Sequence, residues 1–140
     1  MPAAYVELRC RSAFSFLAGA SLPEDLATRA AALEYDTLAV GDRHGVYGAP
    51  RFFQAARAAG VRPIVGAEVV IDGVGALWLL VEEPAGYRNL CRLLTDGALG
   101  KAKGTASVSW EQVETYARGL HCLAGGDEGP LTDANAAQHL

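Results

Sequence analysis

Five charged residues lie in or directly after segments whose apolar residues are typical of strands. Two arginines alternate near the end of the first such segment, and an aspartate and an arginine follow the second. A glutamate interrupts the third, where a buried charge is costly unless it is paired or bound to a metal. These candidates are Arg9, Arg11, Asp42, Arg43 and Glu68. Their types allow ion pairing between guanidinium and carboxylate groups, or metal ligation by the carboxylates.

Each of these residues also has a plainer interpretation. Arginines that alternate along a strand are typical of a solvated polar face. An aspartate after a strand often caps the next helix, so Asp42 need not be a functional group. His44 follows two residues later and could join Asp42 in metal ligation or acid–base chemistry, but a single histidine in a loop is usually a polar loop residue.

Strand and helix patterns alternate along the chain and would position these residues. The predicted strands are Tyr5–Arg11, Thr37–Val40, Arg62–Ile71, Ala76–Glu82 and Leu120–Ala124. Helices are predicted from Ser21 to about Glu34, from Ala49 to Ala59, around Tyr87–Leu94 and after Ser109. Capping boxes are predicted at Ser21/Glu24 and Ser109/Gln112. This alternation predicts an α/β fold with a mostly parallel sheet and helices packed outside it. Such sheets carry functional groups at the carboxyl ends of their strands.

Composition narrows the class of protein. The 140 residues are 51% hydrophobic and 20% charged, which is typical of a globular domain. The net charge of −4 excludes a broad basic surface for nucleic acid, although a local basic pocket remains compatible with it. Three cysteines without a C-x-x-C pair, and no apolar run of membrane-spanning length, indicate a cytoplasmic protein. We expect one domain over residues 1–126 and a polar tail over residues 127–140.

Five segments in order resemble the PHP (polymerase and histidinol phosphatase) domain of bacterial C-family DNA polymerase III alpha subunits, especially the error-prone, damage-induced branch. They are YVELRCRSAFSFLAGAS (5–21), LAVGDRHGVYG (38–48), RPIVGAEV (62–69), GYRNLCRLLT (86–95) and GLHCLAGGDEGPL (119–131). The resemblance implies a distorted (β/α)7 barrel. This sequence has fewer strands than such a barrel, so a partial barrel is expected.

The resemblance also implies where metal ligands would lie. The family's His-x-His pair falls on Arg9 and Arg11, and the histidine of its Thr-Asp-His loop falls on Arg43, while Asp42 and Glu68 match. A guanidinium has no lone pair to give to a metal, so three such replacements predict that the metal site is lost. We therefore expect an ion-paired pocket of Arg9, Arg11, Asp42, Arg43 and Glu68, without a metal, another cofactor or a catalytic residue. Its surplus positive charge could hold a small anion.

Three functions follow as alternatives. The first is a non-catalytic PHP-type domain with a structural or partner-binding role in DNA replication, repair and translesion synthesis. The second is a metal-dependent phosphoesterase or exonuclease, and the third is an anion- or nucleic-acid-binding module that uses the arginine pocket. The expected partners are the rest of a DNA polymerase or replication and repair proteins, with DNA reached only indirectly and no membrane. An open sheet edge also predicts either a homodimer or coverage of that edge by the chain's own tail.

Overall fold

The computed structural model describes residues 5–131, which form five strands and four helices. The strands are β1 (Glu7–Cys10), β2 (Thr37–Arg43), β3 (Arg62–Ile71), β4 (Gly75–Val81) and β5 (Leu120–Leu123). The helices are α1 (Pro23–Ala32), α2 (Ala49–Ala58), α3 (Pro84–Ala98) and α4 (Trp110–Tyr116). The strands lie in one sheet in the order β1-β2-β3-β4-β5, and the chain divides into two compact units between Ala67 and Glu68, within β3.

The first unit contains the parallel pair β1 and β2 together with α1 and α2. Its pairing places Glu7 opposite Leu38 and Cys10 opposite Val40, with a register shift between them. Small alanines on the helices allow close packing against branched and aromatic side chains, which keeps the core dense. The buried cluster consists of Ala27, Ala30, Leu38, Val40, Phe52, Ala56 and Val61.

The start of α1 differs from the prediction. The N-cap is Leu22, which makes no side-chain cap, and Pro23 takes the first helical position, so the predicted capping box of Ser21 and Glu24 is wrong. Proline suits that position because its missing N–H would have had no helical partner. Glu24 instead accepts two hydrogen bonds from Arg51 of α2, at 2.5 and 2.9 Å. This contact lowers the pKa of Glu24 and joins the two exposed helix surfaces.

The second unit contains the end of β3, β4, β5, α3 and α4. The strands β4 and β5 are antiparallel, with Trp78 opposite Leu123 and Val81 opposite Leu120. Ser109 and Gln112 form the predicted capping box at the start of α4. In the segment predicted to be a polar tail, the carbonyl of Glu128 accepts a hydrogen bond from the Ala76 N–H at 2.6 Å. Residues 132–140 of that tail lie outside the described residues.

The predicted α/β class is confirmed. The strands β1 and β2 are parallel, whereas β4 and β5 are antiparallel. The β3 bounds agree with the prediction, whereas β2 runs to Arg43, so Gly41–Arg43 belong to a strand and not to the predicted loop. The predicted domain boundary at residue 126 stays a prediction. Within residues 5–131, none of the helices combines the length and hydropathy that a bilayer crossing requires.

The start of α3 depends on a glycine. A Cβ added to Gly86 would lie 1.9 Å from the carbonyl oxygen of Gly119, in the turn that precedes β5. We expect Gly86→Ala to lower the free energy of unfolding by about 2 kcal/mol, because the backbones must separate. Urea denaturation measures this change. Gly125→Ala is the matched control, since a Cβ at Gly125 meets nothing within 4 Å. An equal effect of both substitutions would contradict the packing argument.

Candidate functional site

The carboxyl ends of β1 and β2 bring two distant loops together. Because the strands are parallel and Cys10 lies opposite Val40, the residues two positions further on, Ser12 and Asp42, come level with each other. The chain after β1 then turns back before α1, while β2 ends at Arg43. This edge is where the sequence predicted functional groups.

Two serines bind the carboxylate of Asp42. The Ser12 N–H donates to Oδ1 at 2.8 Å, and the Ser12 hydroxyl donates to Oδ2 at 2.7 Å. The Ser15 hydroxyl donates to Oδ1 at 2.6 Å. All three side chains are buried, with Asp42 only 3% exposed. We call Ser12, Ser15 and Asp42 the serine–aspartate cluster. Hydrogen bonds to a charged acceptor are stronger than neutral ones, so this cluster compensates for the burial of the carboxylate.

The cluster also shapes the loop between β1 and α1. The Ser15 N–H donates to the Ser12 carbonyl at 3.0 Å, and the Gly19 N–H donates to the Ser15 carbonyl at 2.9 Å. At Gly19 a Cβ would lie 2.0 Å from the Ser12 carbonyl oxygen, so only glycine allows this approach. The Ser15 hydroxyl also accepts the Arg43 N–H at 3.1 Å. The loop is therefore fixed to the end of β2 through side-chain and main-chain groups.

The negative charge of Asp42 influences the thiol that precedes the cluster. Burial raises the pKa of Cys10, and the charges of Glu7 and Asp42 raise it further. A raised thiol pKa lowers the thiolate fraction, and the thiolate is the form that attacks electrophiles and binds metals. Cys10 is therefore a packing residue in this unit, in accord with its position against the core.

The predicted site residues occupy different environments. Arg9 is exposed on β1, Arg11 is half-buried just after it, and Arg43 is exposed at the end of β2. Glu68 is buried in β3, as the first residue of the second unit. The structure brings Asp42 together with serines, and the predicted ion pairing of the three arginines with Asp42 and Glu68 stays a prediction.

Sequence reasoning missed Ser12 and Ser15 as partners of Asp42. Their signal was the Ser-x-x-Ser spacing directly after β1, where the Ser12 carbonyl closes a turn and the Ser15 hydroxyl reaches the end of β2. Hydroxyls in such loops commonly bond to nearby backbone, so the spacing alone did not indicate a carboxylate 30 residues away.

Metal-binding groups are sparse around this edge. Among residues 5–131, no group of three or more histidine, cysteine, aspartate or glutamate side chains has the arrangement of a metal site. His44 follows β2 with a positive φ of 47° and is half-buried. Arginine cannot ligate a cation, so the side chains of Arg9, Arg11 and Arg43 do not extend the donor set.

The geometry defines an α/β protein whose loops after parallel strands enclose an anionic, hydrogen-bonded cluster. The PHP domain model matches residues 7–139. The chain belongs to the PHP domain family.

Curated relatives are error-prone DNA polymerases. The protein from Anaeromyxobacter sp. (strain K) is 41% identical over 139 residues, covering 89% of this chain and 12% of the relative. The protein from Rhodopirellula baltica is 42% identical over 121 residues, covering 86% of this chain and 10% of the relative. The protein from Pseudomonas fluorescens is 45% identical over 120 residues, covering 86% of this chain and 12% of the relative. The chain thus spans about one-eighth or less of the length of these relatives, and it is similar to their PHP region.

Solved structures share the fold. An amidohydrolase from Chromobacterium violaceum, with bound sulfate and no metal, has a TM-score of 0.56 and 27% identity, covering 66% of this chain and 32% of that one. A protein from Bifidobacterium adolescentis, assigned as a metal-dependent phosphoesterase, has a TM-score of 0.57 and 16% identity, covering 99% of this chain and 50% of its own. The second similarity shows the fold alone.

The serine–aspartate cluster predicts an unequal response to two substitutions. Asp42→Ala leaves three buried donors without their acceptor, and we expect it to lower the free energy of unfolding by roughly 3 kcal/mol. Asp42→Asn keeps one carbonyl oxygen for Ser12 and Ser15, so a loss of roughly 1 kcal/mol is expected. Thermal and urea denaturation measure both. Asp127→Ala, at an exposed position, is the control. Asp42→Ala as stable as this control would refute the anchoring role.

Proposed function

We propose that this chain is a non-catalytic PHP-type domain with a structural or partner-binding role in an error-prone DNA polymerase system. One observation carries the proposal: the aspartate that matches the family's metal loop is held by Ser12 and Ser15, which donate to both of its oxygens. In this arrangement the carboxylate acts as a structural acceptor that fixes two loops.

The side chains at the matched metal positions support the same proposal. Arg9, Arg11 and Arg43 stand where the resemblance has histidines, and each brings a positive charge in place of a lone pair. A cation would be repelled by these guanidiniums, whereas carboxylates or small anions would be attracted. The proposed pocket of these arginines with Asp42 and Glu68 therefore replaces metal binding by charge pairing.

The loop fixed by the cluster provides the support for a partner-binding role. Phe16 and Leu17 are 86% and 92% exposed, and Leu17 has a positive φ of 62°. Large apolar side chains held outward on a fixed backbone are typical of residues that enter a partner's pocket. The relatives carry most of their length outside the matched region, so the proposed partner is a polymerase portion of that kind. The free thiols of Cys10, Cys91 and Cys122 accord with a cytoplasmic setting.

The proposal predicts the metal content of the purified protein. After incubation with zinc, manganese or iron and removal of excess ions, we expect well below one metal per chain by elemental mass spectrometry. Arg9→His/Arg11→His/Arg43→His would restore imidazole donors beside Asp42 and is expected to retain more metal than the natural sequence. One or more metals bound by the natural sequence, and lost in Asp42→Asn, would favour the metal-dependent phosphoesterase instead.

The homodimer is a separate proposal that rests on the two end strands of the described sheet. β1 and β5 occupy the ends of the strand order, and an end strand presents unpaired backbone groups. We expect light scattering coupled to size exclusion to give twice the chain mass. Cys122→Pro would remove a backbone donor from β5 and is expected to weaken the dimer, whereas Cys122→Ala keeps that donor and should leave the dimer unchanged. A monomer at all concentrations would refute this proposal.

A further inference from the structure

A cavity of about 470 Å³ opens between the end of α2 and the start of β3, within the first unit. It shares no residue with the serine–aspartate cluster or with the proposed arginine pocket. Its lining combines one exposed aromatic ring, two arginines and a tight turn. The lining residues are Phe53, Arg57, Gly60, Val61, Arg62 and Pro63, and we call it the Phe53 cavity.

Two positive charges line this cavity without a carboxylate partner among residues 5–131. The Arg57 guanidinium carbon lies 5.7 Å from the centre of the Phe53 ring, and that ring is its contact. Arg62 is held through its backbone, since its N–H donates to the carbonyl of Asp36 at 2.8 Å. Both side chains are exposed. Two guanidiniums that line one cavity can donate to the same anion, which favours a phosphate or carboxylate ligand.

Three carbonyls at the end of α2, beside the cavity, are occupied by hydrogen bonds within the turn. The end of a helix carries partial negative charge because its last carbonyls lack helical partners. Here the carbonyls of Ala55, Ala56 and Arg57 accept hydrogen bonds from the N–H groups of Ala59, Val61 and Gly60. Their lone pairs are thus directed into the turn, and the positive φ of 76° at Gly60 allows this turn to form.

The aromatic ring distinguishes among anions. Phe53 is 43% exposed although it lies on a helix whose neighbouring Phe52 is fully buried. Arg57 lies over part of the ring, but Phe53 remains exposed, so the surface presents aromatic carbons and a guanidinium together. Nucleic-acid bases stack on both kinds of surface, while a carboxylate gains nothing from the ring. A ligand that carries a phosphate beside a planar base fits both features.

We propose that the Phe53 cavity binds a nucleotide unit, with the phosphate between Arg57 and Arg62 and the base on Phe53. The unit could be a free nucleotide or part of a single strand, since both offer the same chemistry. This site goes beyond the proposed structural role, and it gives the chain a direct nucleic-acid contact where composition predicted only an indirect one. The net charge of −4 restricts the contact to this local surface.

The test uses the full chain with thymidine 5′-monophosphate and with a fluorescein-labelled octathymidylate, followed by fluorescence anisotropy and amide NMR. Phe53→Ala is expected to weaken oligonucleotide binding roughly ten-fold, in the range of stacking losses. Arg57→Gln and Arg62→Gln are each expected to lower the magnitude of the salt slope by about 0.7, as for one phosphate contact on a single strand. The amide signals of Gly60 and Val61 should shift on ligand addition.

Arg29→Gln is the matched control, because Arg29 occupies the last turn of α1 as Arg57 occupies that of α2. It should leave affinity and salt slope unchanged. Binding of the monophosphate alone would identify a free nucleotide as the source, and tighter binding of the octamer would identify a strand. The proposal fails if the Gly60 and Val61 signals do not move, if Arg29→Gln weakens binding as much as Arg57→Gln, or if an octaglutamate peptide binds equally well, which would indicate an acidic protein segment.

Discussion

The first unit depends on a buried negative charge at the end of two parallel strands. Asp42 lies where β2 ends, and the charge can remain there because the backbone and hydroxyl of Ser12 and the hydroxyl of Ser15 donate to it. The same contacts turn the chain after β1 toward α1 and join it to the backbone of Arg43. Burying a carboxylate without such donors would be costly. The position of the loop therefore depends on the hydrogen bonds to this one side chain.

This arrangement supports the proposal that arginines occupy the positions where the PHP resemblance implies histidines. An imidazole can either ligate a metal or stay neutral in a pocket, whereas a guanidinium keeps its charge and needs acceptors. Asp42 already has Ser12 and Ser15 as hydrogen-bond donors, which stabilise its buried carboxylate. The fold is shared with the Chromobacterium and Bifidobacterium proteins, and because one fold can host different functions, function has to be argued from the side chains of this chain's own site.

Local patterns predicted much of the secondary structure. The alternation of strands and helices, the bounds of β3 and the capping box at Ser109 follow from hydrogen bonds and apolar spacing within a few residues. The predicted start of α1 was wrong. The helix begins at Pro23 with Leu22 as its N-cap, so Ser21 lies one residue too early to cap it. The length of β2 was underestimated because pairing with neighbouring strands, and not apolarity, keeps Gly41–Arg43 extended.

The sequence by itself determined the charge types near the strand ends and the similarity to error-prone polymerases, because these depend only on residue identity and order. The tertiary structure decided which groups bind Asp42. Its partners lie 27 and 30 residues away, and only the parallel pairing of β1 with β2 brings them within hydrogen-bond distance. The Phe53 cavity likewise exists only because the turn after α2 brings Arg57 and Arg62 to one cavity beside Phe53. Contacts between distant segments depend on how strands pair and helices pack, which local spacing does not encode.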